Sequence, residues 1–220
     1  MGAKSTGLDA VWKLRLEEVG QALEANDFKV SIFSAFSEAA EYFAQTILPE
    51  INPGSAGVGG SETIKDTGIY AAISKYPGIT FHNPYAAGLT PEQAWEARRQ
   101  GLLTDLFVAS TNALLRDGRL LNLDGAGNRI AGMAFGPKNL VLFVGRNKIC
   151  EDIEAARQRI KEIAAPANAI RLDKKTPCAK TGSCGECKSP GRICSAWLLT
   201  EKSFPPRRIH VLLIDEDLGF

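Results

Sequence analysis

Four of the five cysteines, Cys178, Cys184, Cys187 and Cys194, crowd into one short segment with the spacing C-x5-C-x2-C-x6-C. The Cys184-x2-Cys187 pair is the informative part, because two intervening residues let both thiolates face one ion. Gly182, Gly185, Pro190 and Gly191 supply the tight turns that such a knuckle needs. Four thiolates without a histidine suit tetrahedral zinc or an iron–sulfur cluster, although the spacing is not the bacterial ferredoxin run. Two disulfides, or one redox-active C-x2-C pair, is the competing reading. With no secretion signal the default compartment is reducing and cytoplasmic, where clustered cysteines more often bind metal or do redox chemistry. Cys150 stands alone and reads as an ordinary small side chain.

A second collection of polar residues follows the apolar runs of the chain. Gly59, Gly60, Ser61 and Glu62 come after one run, and His82 closes another. Ser110, Thr111 and Asn112 follow a third, while Asn122, Asp124, Asn128 and Arg129 follow a hairpin. Asn147 and Lys148 follow the most apolar run of all. Ligands of a parallel sheet bind beyond the carboxyl ends of its strands, so these loops are expected to meet in one cleft. Glycine backbone donors, Arg129 and Lys148 suit an anionic small molecule bearing carboxylate or phosphate. Asp124 and Glu62 are the candidates for proton transfer. Each piece has a plainer reading. Ser61 could cap a helix after a tight glycine turn, and Asp124-Gly125 could be a turn with Asn128 as cap. Arg129 could pair with Asp124 or hold an anion, and His82 and His210 could both be structural. The glycines do not make a dinucleotide fingerprint, because the third falls beside the second. No flavin or nicotinamide motif is found.

These residues need elements to carry them. Leu8, Val11, Trp12, Val19 and Leu23 share one face of an opening helix that ends near Asn26. Strands are expected over 28–33, 55–59, 79–82, 106–109, 140–144 and 209–214, where apolar residues alternate or run unbroken. A helix after Ser37 should carry Ala40, Phe43 and Ile47 inward and close at Pro49 and Pro53. A helical stretch up to Lys75 should break near Gly68. Thr90-Pro91-Glu92-Gln93 is a strong helix start, with Gly101 as its end. Asp117-Gly118 between two leucine pairs predicts a hairpin. Arg129 should start a short apolar helix containing Ile130, Met133 and Phe135. The stretch 151–164 should be helical and stop at Pro166. Strands alternating with helices predict an α/β fold with a largely parallel sheet and helices on both faces. The chain reads as one domain over 1–220, with an N-terminal helix within 1–27. Its one compositional break, 173–206, reads as a cysteine-rich insertion before the last strand.

Composition excludes several classes. The 220 residues carry 26 Lys and Arg against 25 Asp and Glu, a net charge of +1. That balance argues against a nucleic-acid protein and a polybasic membrane patch. No apolar run approaches the ~20 residues of a membrane span. The N-terminus lacks the apolar stretch of a signal peptide. Gly2 and Thr6 loosely fit a myristoylation pattern that is too short to carry weight.

Taken together, the chain resembles the LUD domain family, the lactate-utilisation protein C group. The resemblance runs over nearly the whole sequence. It rests on Gly59-Gly60-Ser61, on Asn112-Ala113 before the Asp-Gly hairpin, and on Asn122-x-Asp124-Gly125-x-Gly127-Asn128-Arg129. Phe135-Gly136-Pro137-Lys138, Val144-Gly145-x-Asn147-Lys148 and the closing Leu218-Gly219-Phe220 complete it. Cys178 to Cys194 resembles a cysteine-rich insertion carried by a subset of the family. The resemblance implies a fold similar to the ribose-5-phosphate isomerase and CoA-transferase superfamily. It also implies a part in oxidising L-lactate to pyruvate beside iron–sulfur partner subunits, and for that reason an iron–sulfur cluster is preferred to zinc at the cysteines. A stand-alone isomerase or transferase on a phosphorylated or CoA-like ligand, and a non-catalytic module with structural zinc, are the alternatives.

Overall fold

An apolar run that leaves no side of a strand polar demands cover on both faces. Leu140–Val144 is such a run, and it lies deep in the sheet that organises the molecule. The computed structural model describes residues 6–65 and 67–220, so Gly2 of the N-terminal pattern lies outside the described residues. The strands are β1 (Lys29–Phe33), β2 (Ser55–Val58), β3 (Thr80–His82), β4 (Leu106–Ala109), β5 (Ala113–Leu115), β6 (Leu120–Asp124), β7 (Asn139–Gly145), β8 (Ile149–Cys150), β9 (Ala196–Thr200) and β10 (Ile209–Ile214). The helices are α1 (Thr6–Ala25), α2 (Phe36–Tyr42), α3 (Leu48–Ile51), α4 (Ile69–Lys75), α5 (Pro91–Gln100), α6 (Asn128–Ala134), α7 (Ile153–Arg159), α8 (Ala165–Arg171) and α9 (Pro177–Thr181).

Six strands in the order β1-β10-β7-β4-β2-β3 form an all-parallel sheet. Its two faces are separate cores. Leu140, Leu142 and Val144 pack with Leu16, Val19 and Leu23 of α1, while Val141 and Phe143 pack with Phe43, Ile47 and Ile73 on the other side. A smaller sheet, β8-β5-β6-β9, holds the expected Asp117-Gly118 hairpin. Gly118 takes φ +81°, and its Cα packs against the α1 backbone at Ala22. The Thr90 capping box forms as expected, with Thr90 accepting from the Gln93 N–H and Gln93 from the Thr90 N–H. The chain is an α/β protein with a largely parallel sheet, helices on both faces and a cysteine-rich segment. Among the described residues no helix is long and apolar enough to cross a membrane.

Several sequence expectations are corrected. Leu8 is 59% exposed and Val11 also faces solvent, so the buried face of α1 begins only at Leu16. Trp12 instead takes the guanidiniums of Arg15 and Arg146 over its ring, at 5.2 and 5.5 Å. Phe135 is 86% exposed because α6 ends at Ala134. Residues 62–65 form turns, and only Ile69–Lys75 is helical. Gly101 opens a short 3-10 turn, Gly101–Leu103, that continues α5.

Neither Pro49 nor Pro166 stops its helix. Each follows a π-helical segment, Phe43–Ile47 or Ile160–Ala164, and the helical path runs on through α3 and α8. The residues just before the prolines bond five back: Leu48 N–H donates to the Phe43 carbonyl, and Ala165 N–H to the Ile160 carbonyl. The widened turn accommodates a ring that a regular helix interior rejects. The segment 173–206 also contains more order than expected, because β9 pairs antiparallel with β6 inside it.

His210 is buried in β10, with Nε2 3.0 Å from Ser31 Oγ. Burial, helped by the Lys29 charge, lowers its pKa to about 4 against an opposing Glu50. Above the free-histidine value of about 6.5 neither state is protonated. Below it the unfolded chain takes a proton that the native chain refuses, so stability falls as pH drops from about 6.5 towards 4. The loss from this group is at most about 3 kcal/mol. Urea titrations of His210→Gln should show a shallower decline over that window, and an unchanged decline would rule out His210 as its source.

Candidate functional site

The carboxyl ends of β2, β4 and β7, neighbours in the parallel sheet through β4, open into one cleft of about 360 Å³. Gly60, Ser61 and Glu62 enter it after β2, Asn112 after β4 and Lys148 after β7. Asp124, Asn128 and Arg129 reach it from the end of β6 and the start of α6. The sheet therefore brings together most of the residues expected to converge.

Arg129 is 9% exposed. Its Nη2 donates to Asn112 Oδ1 at 2.7 Å and to the Leu123 carbonyl at 3.0 Å. Its Nε is buried with no partner among the described residues. Burial pushes its pKa down, and the Asp124 charge opposes that. Lys148 is 3% exposed, and its Nζ donates to Thr63 Oγ1 and to Ser110 Oγ, both at 2.8 Å. Burial first, and then the charges of Arg159 and Arg129, push its pKa well below the ordinary lysine value. Among the described residues neither cation makes an ion pair with a carboxylate. An isolated buried charge is costly, so a cleft lined by the Arg129 guanidinium and the Lys148 amine favours an anion.

The carboxylates of the cleft are already engaged. Asp124 Oδ1 accepts from the Gly125 N–H, and Oδ2 accepts from the Arg129 and Ile130 N–H groups at 3.0 and 3.4 Å. Asp124 thus holds the first turn of α6 rather than the Arg129 guanidinium. Glu62 pairs with Arg171 at 2.8 Å. Ser61 Oγ accepts from the Thr63 N–H and sets the turn that presents the Lys148 acceptor.

Four expected residues do not line the cleft. Gly59 lies behind it, where a Cβ would stand 3.0 Å from Arg129 Cγ, so its bareness makes room for that side chain. Asn122 is fully buried beneath the floor, and its Oδ1 accepts from the Asn112 N–H. Asn147 holds the chain end instead: its Oδ1 accepts from the Leu218 N–H, and Phe220 reaches the cleft wall. His82 ends β3 at the sheet edge, away from the cleft. Tyr85, in the loop after the strand that His82 closes, lines the cleft too, and sequence reasoning missed Arg98, Asn168, Arg171 and Lys174. Asn168 and Arg171 sit on α8, beyond the proline at which the helix was expected to stop. Arg159 of α7 was missed as well; it ties two loops together by donating to the Asn147 and Asn112 carbonyls.

All four clustered cysteines line a second, much smaller cavity, and none is in a disulfide. Cys178 sits on α9 with its sulfur 3.3 Å from Thr176 Oγ1. Arg192 donates to the carbonyls of Cys187 and Cys194 and shapes the loop around them. Glu186, in a left-handed conformation between Cys184 and Cys187, pairs with Lys161 at 2.7 Å. Burial pushes the Cys194 thiol up, and Lys161 pulls it the other way. Among the described residues no three Cys, His, Asp or Glu side chains stand close enough to hold one ion as they are placed. The four cysteines line that one small cavity together with Lys161 and Arg192, and four thiols are the donor type that thiolate-bound centres use. Ala165, Ile193 and Cys194 line both cavities, so the two share a wall.

The family model described as LUD domain matches residues 16–214. The solved structure of a DUF162 family protein from Deinococcus radiodurans is similar at a TM-score of 0.47 and 11% identity, over 94% of this chain and 97% of that one. A search of curated proteins gives no match.

Asn112 Oδ1 holds both the Arg129 guanidinium and the Leu123 N–H. Asn112→Ala should therefore cost about 1–3 kcal/mol, the penalty for buried donors left without an acceptor. The urea midpoint reports it, and a midpoint equal to that of the parent chain would mean that Arg129 is held by other groups.

Proposed function

The chain belongs to the LUD domain family, and on that premise we propose that it serves the oxidation of L-lactate to pyruvate as a subunit or accessory protein, with the cleft holding the small carboxylic acid and the four cysteines holding a metal centre. The observation that carries this reading is the pair of buried basic side chains, Arg129 and Lys148, facing one cleft without a carboxylate among the described residues in contact. A 2-hydroxy acid supplies the missing negative charge. Its carboxylate would accept from the guanidinium, whose planar fork suits it. Its hydroxyl would lie near Ser110, Thr111 and Lys148 on the same wall. Removal of two electrons and two protons from such an acid needs an acceptor, which the reading assigns to iron–sulfur partner subunits. Cys178, Cys184, Cys187 and Cys194 would hold an iron–sulfur cluster or zinc. A cluster would supply one-electron transfer, and zinc would only brace the loop. Lys161 and Arg192 would offset the negative charge of the thiolates, and the shared wall would place that centre beside the ligand.

The alternative of an isomerase or transferase working by proton transfer gains no support here. Asp124 is engaged by backbone N–H groups and Glu62 by Arg171.

Calorimetric titration of anaerobically purified protein with L-lactate tests the cleft. Binding should be measurable, and Arg129→Gln should weaken it by about 1.5–3 kcal/mol, the worth of a charge-assisted hydrogen bond. Equal affinity for the neutral lactamide would sink the reading. Metal analysis and an absorption spectrum test the other half. Iron with visible absorption that Cys184→Ser removes supports a cluster, and zinc alone would leave a braced binding module.

A further inference from the structure

Lys148 is unusual among the described lysines. It is buried at 3% exposure on the cleft wall, yet the two hydrogen-bond partners of its amine are hydroxyls, Thr63 Oγ1 and Ser110 Oγ. A protonated lysine has three donors and no acceptor, whereas a neutral one has two donors and a lone pair. Two hydroxyl acceptors match the neutral form. The surrounding charges point the same way. Arg159 and Arg129 are the charged groups that bear on it, and both oppose protonation, as does burial. Asp124 and Glu62 share the cleft, but the first is bound to the α6 backbone and the second to Arg171. A desolvated lysine beside other cations is the arrangement that makes an amine nucleophilic near neutral pH.

From the place of its Nζ, between Thr63 and Ser110 on the wall that also carries Arg129, we propose that Lys148 forms an imine with the carbonyl of a 2-oxo acid bound in the cleft. This rests on the cleft reading above and extends it to the oxidised form of the acid. In a 2-oxo acid the carboxylate and the ketone are on adjacent carbons. Arg129 takes the carboxylate, and the neighbouring cation site faces the ketone. The Nζ lone pair attacks the carbonyl carbon, and the carbonyl oxygen takes up a proton to give a carbinolamine. The C–O bond then breaks. The oxygen leaves as water, carrying both protons that the amine gives up, and a C=N bond remains. No electrons are gained or lost. Thr63 and Ser110 stand within hydrogen-bond reach to pass the protons. The imine holds the 2-oxo acid until water reverses the step.

The test is reductive trapping of the full-length wild-type protein with pyruvate and cyanoborohydride at pH 7, followed by peptide mass mapping. The hydride reduces an imine to a stable secondary amine at the lysine that formed it. One adduct per chain is expected on the peptide containing Lys148. It should form at least about tenfold faster than any adduct at the exposed Lys138, whose ammonium is paired with Asp105. L-Lactate has no carbonyl and should leave no adduct itself while slowing the labelling by pyruvate. Lys148→Met, checked for folding by circular dichroism, should lose that adduct. Wild-type protein that binds pyruvate by calorimetry but gives no adduct at Lys148 would overturn the imine and leave the anion cleft standing. Labelling spread evenly over surface lysines would overturn it as well. Absence of any binding by pyruvate or L-lactate would remove both readings together.

Discussion

The constraint on which the rest of this structure turns is the burial of two basic side chains, Arg129 and Lys148, with no carboxylate among the described residues touching either. A buried charge left alone costs several kcal/mol, so the fold must surround each with neutral acceptors. Asn112 and the Leu123 carbonyl do this for the guanidinium, and Thr63 and Ser110 do it for the lysine amine. Those acceptors come from the ends of β2, β4 and β6, and the parallel sheet brings the strand ends to one edge. Gly59 leaves the space that the arginine fills. Asp124, the nearest candidate counter-charge, is turned to the backbone of α6 instead. The outcome is a cleft whose charge is balanced by whatever enters it.

The smaller sheet ties the cysteine segment to that cleft. β6 carries Asn122 and Asp124 and pairs along its length with β9, which begins two residues after Cys194. The Ser195 N–H donates to the Asp124 carbonyl, and the Ile193 backbone packs on Gly125. A shift of the cysteine loop would therefore move the turn that starts α6, and with it Arg129. The loop is held by few apolar side chains, with Arg192 bonding its carbonyls from within. On the proposed reading, a metal on the cysteines and an acid in the cleft would act on one connected piece of backbone, so each would alter the other's equilibrium by the same factor.

Much of the framework was legible in the sequence because it follows local rules. Unbroken apolar runs at 106–109, 140–144 and 209–214 gave strands buried on both faces. Asp117-Gly118 gave the hairpin, and Thr90 with Gln93 gave a reciprocal cap. The convergence of Ser61, Asp124, Arg129 and Lys148 followed from one rule about strand ends. What was not legible depends on partners distant in sequence. Glu62 read as a free base until Arg171 met it, and Arg171 lay hidden because a π-helical turn carries the helix past Pro166. Asn147 lies beside Lys148 in sequence yet faces the chain end, since consecutive residues of a tight turn diverge. Asn122 is buried, and its Oδ1 is taken up by the Asn112 N–H, ten residues away. Strand β9 has no alternation of its own, and it exists because β6 offers it an edge.

The two cations of the cleft are not equivalent, and the difference sets what the site can do. A guanidinium stays protonated under any ordinary condition, so Arg129 contributes a fixed charge and a fixed geometry. An ammonium can lose its proton when desolvated, and Lys148 is held where burial, Arg159 and Arg129 all press it to do so. An anion seated on Arg129 would cancel part of that pressure. Lys148 would then regain a proton more readily, and ligand binding would carry proton uptake with it. A ligand that also presents an electrophilic carbon would instead meet the neutral amine. On the proposed reading the same side chain would answer a hydroxy acid with a charge and an oxo acid with a lone pair. A pair of arginines could not make that distinction, and a pair of exposed lysines would remain protonated for both.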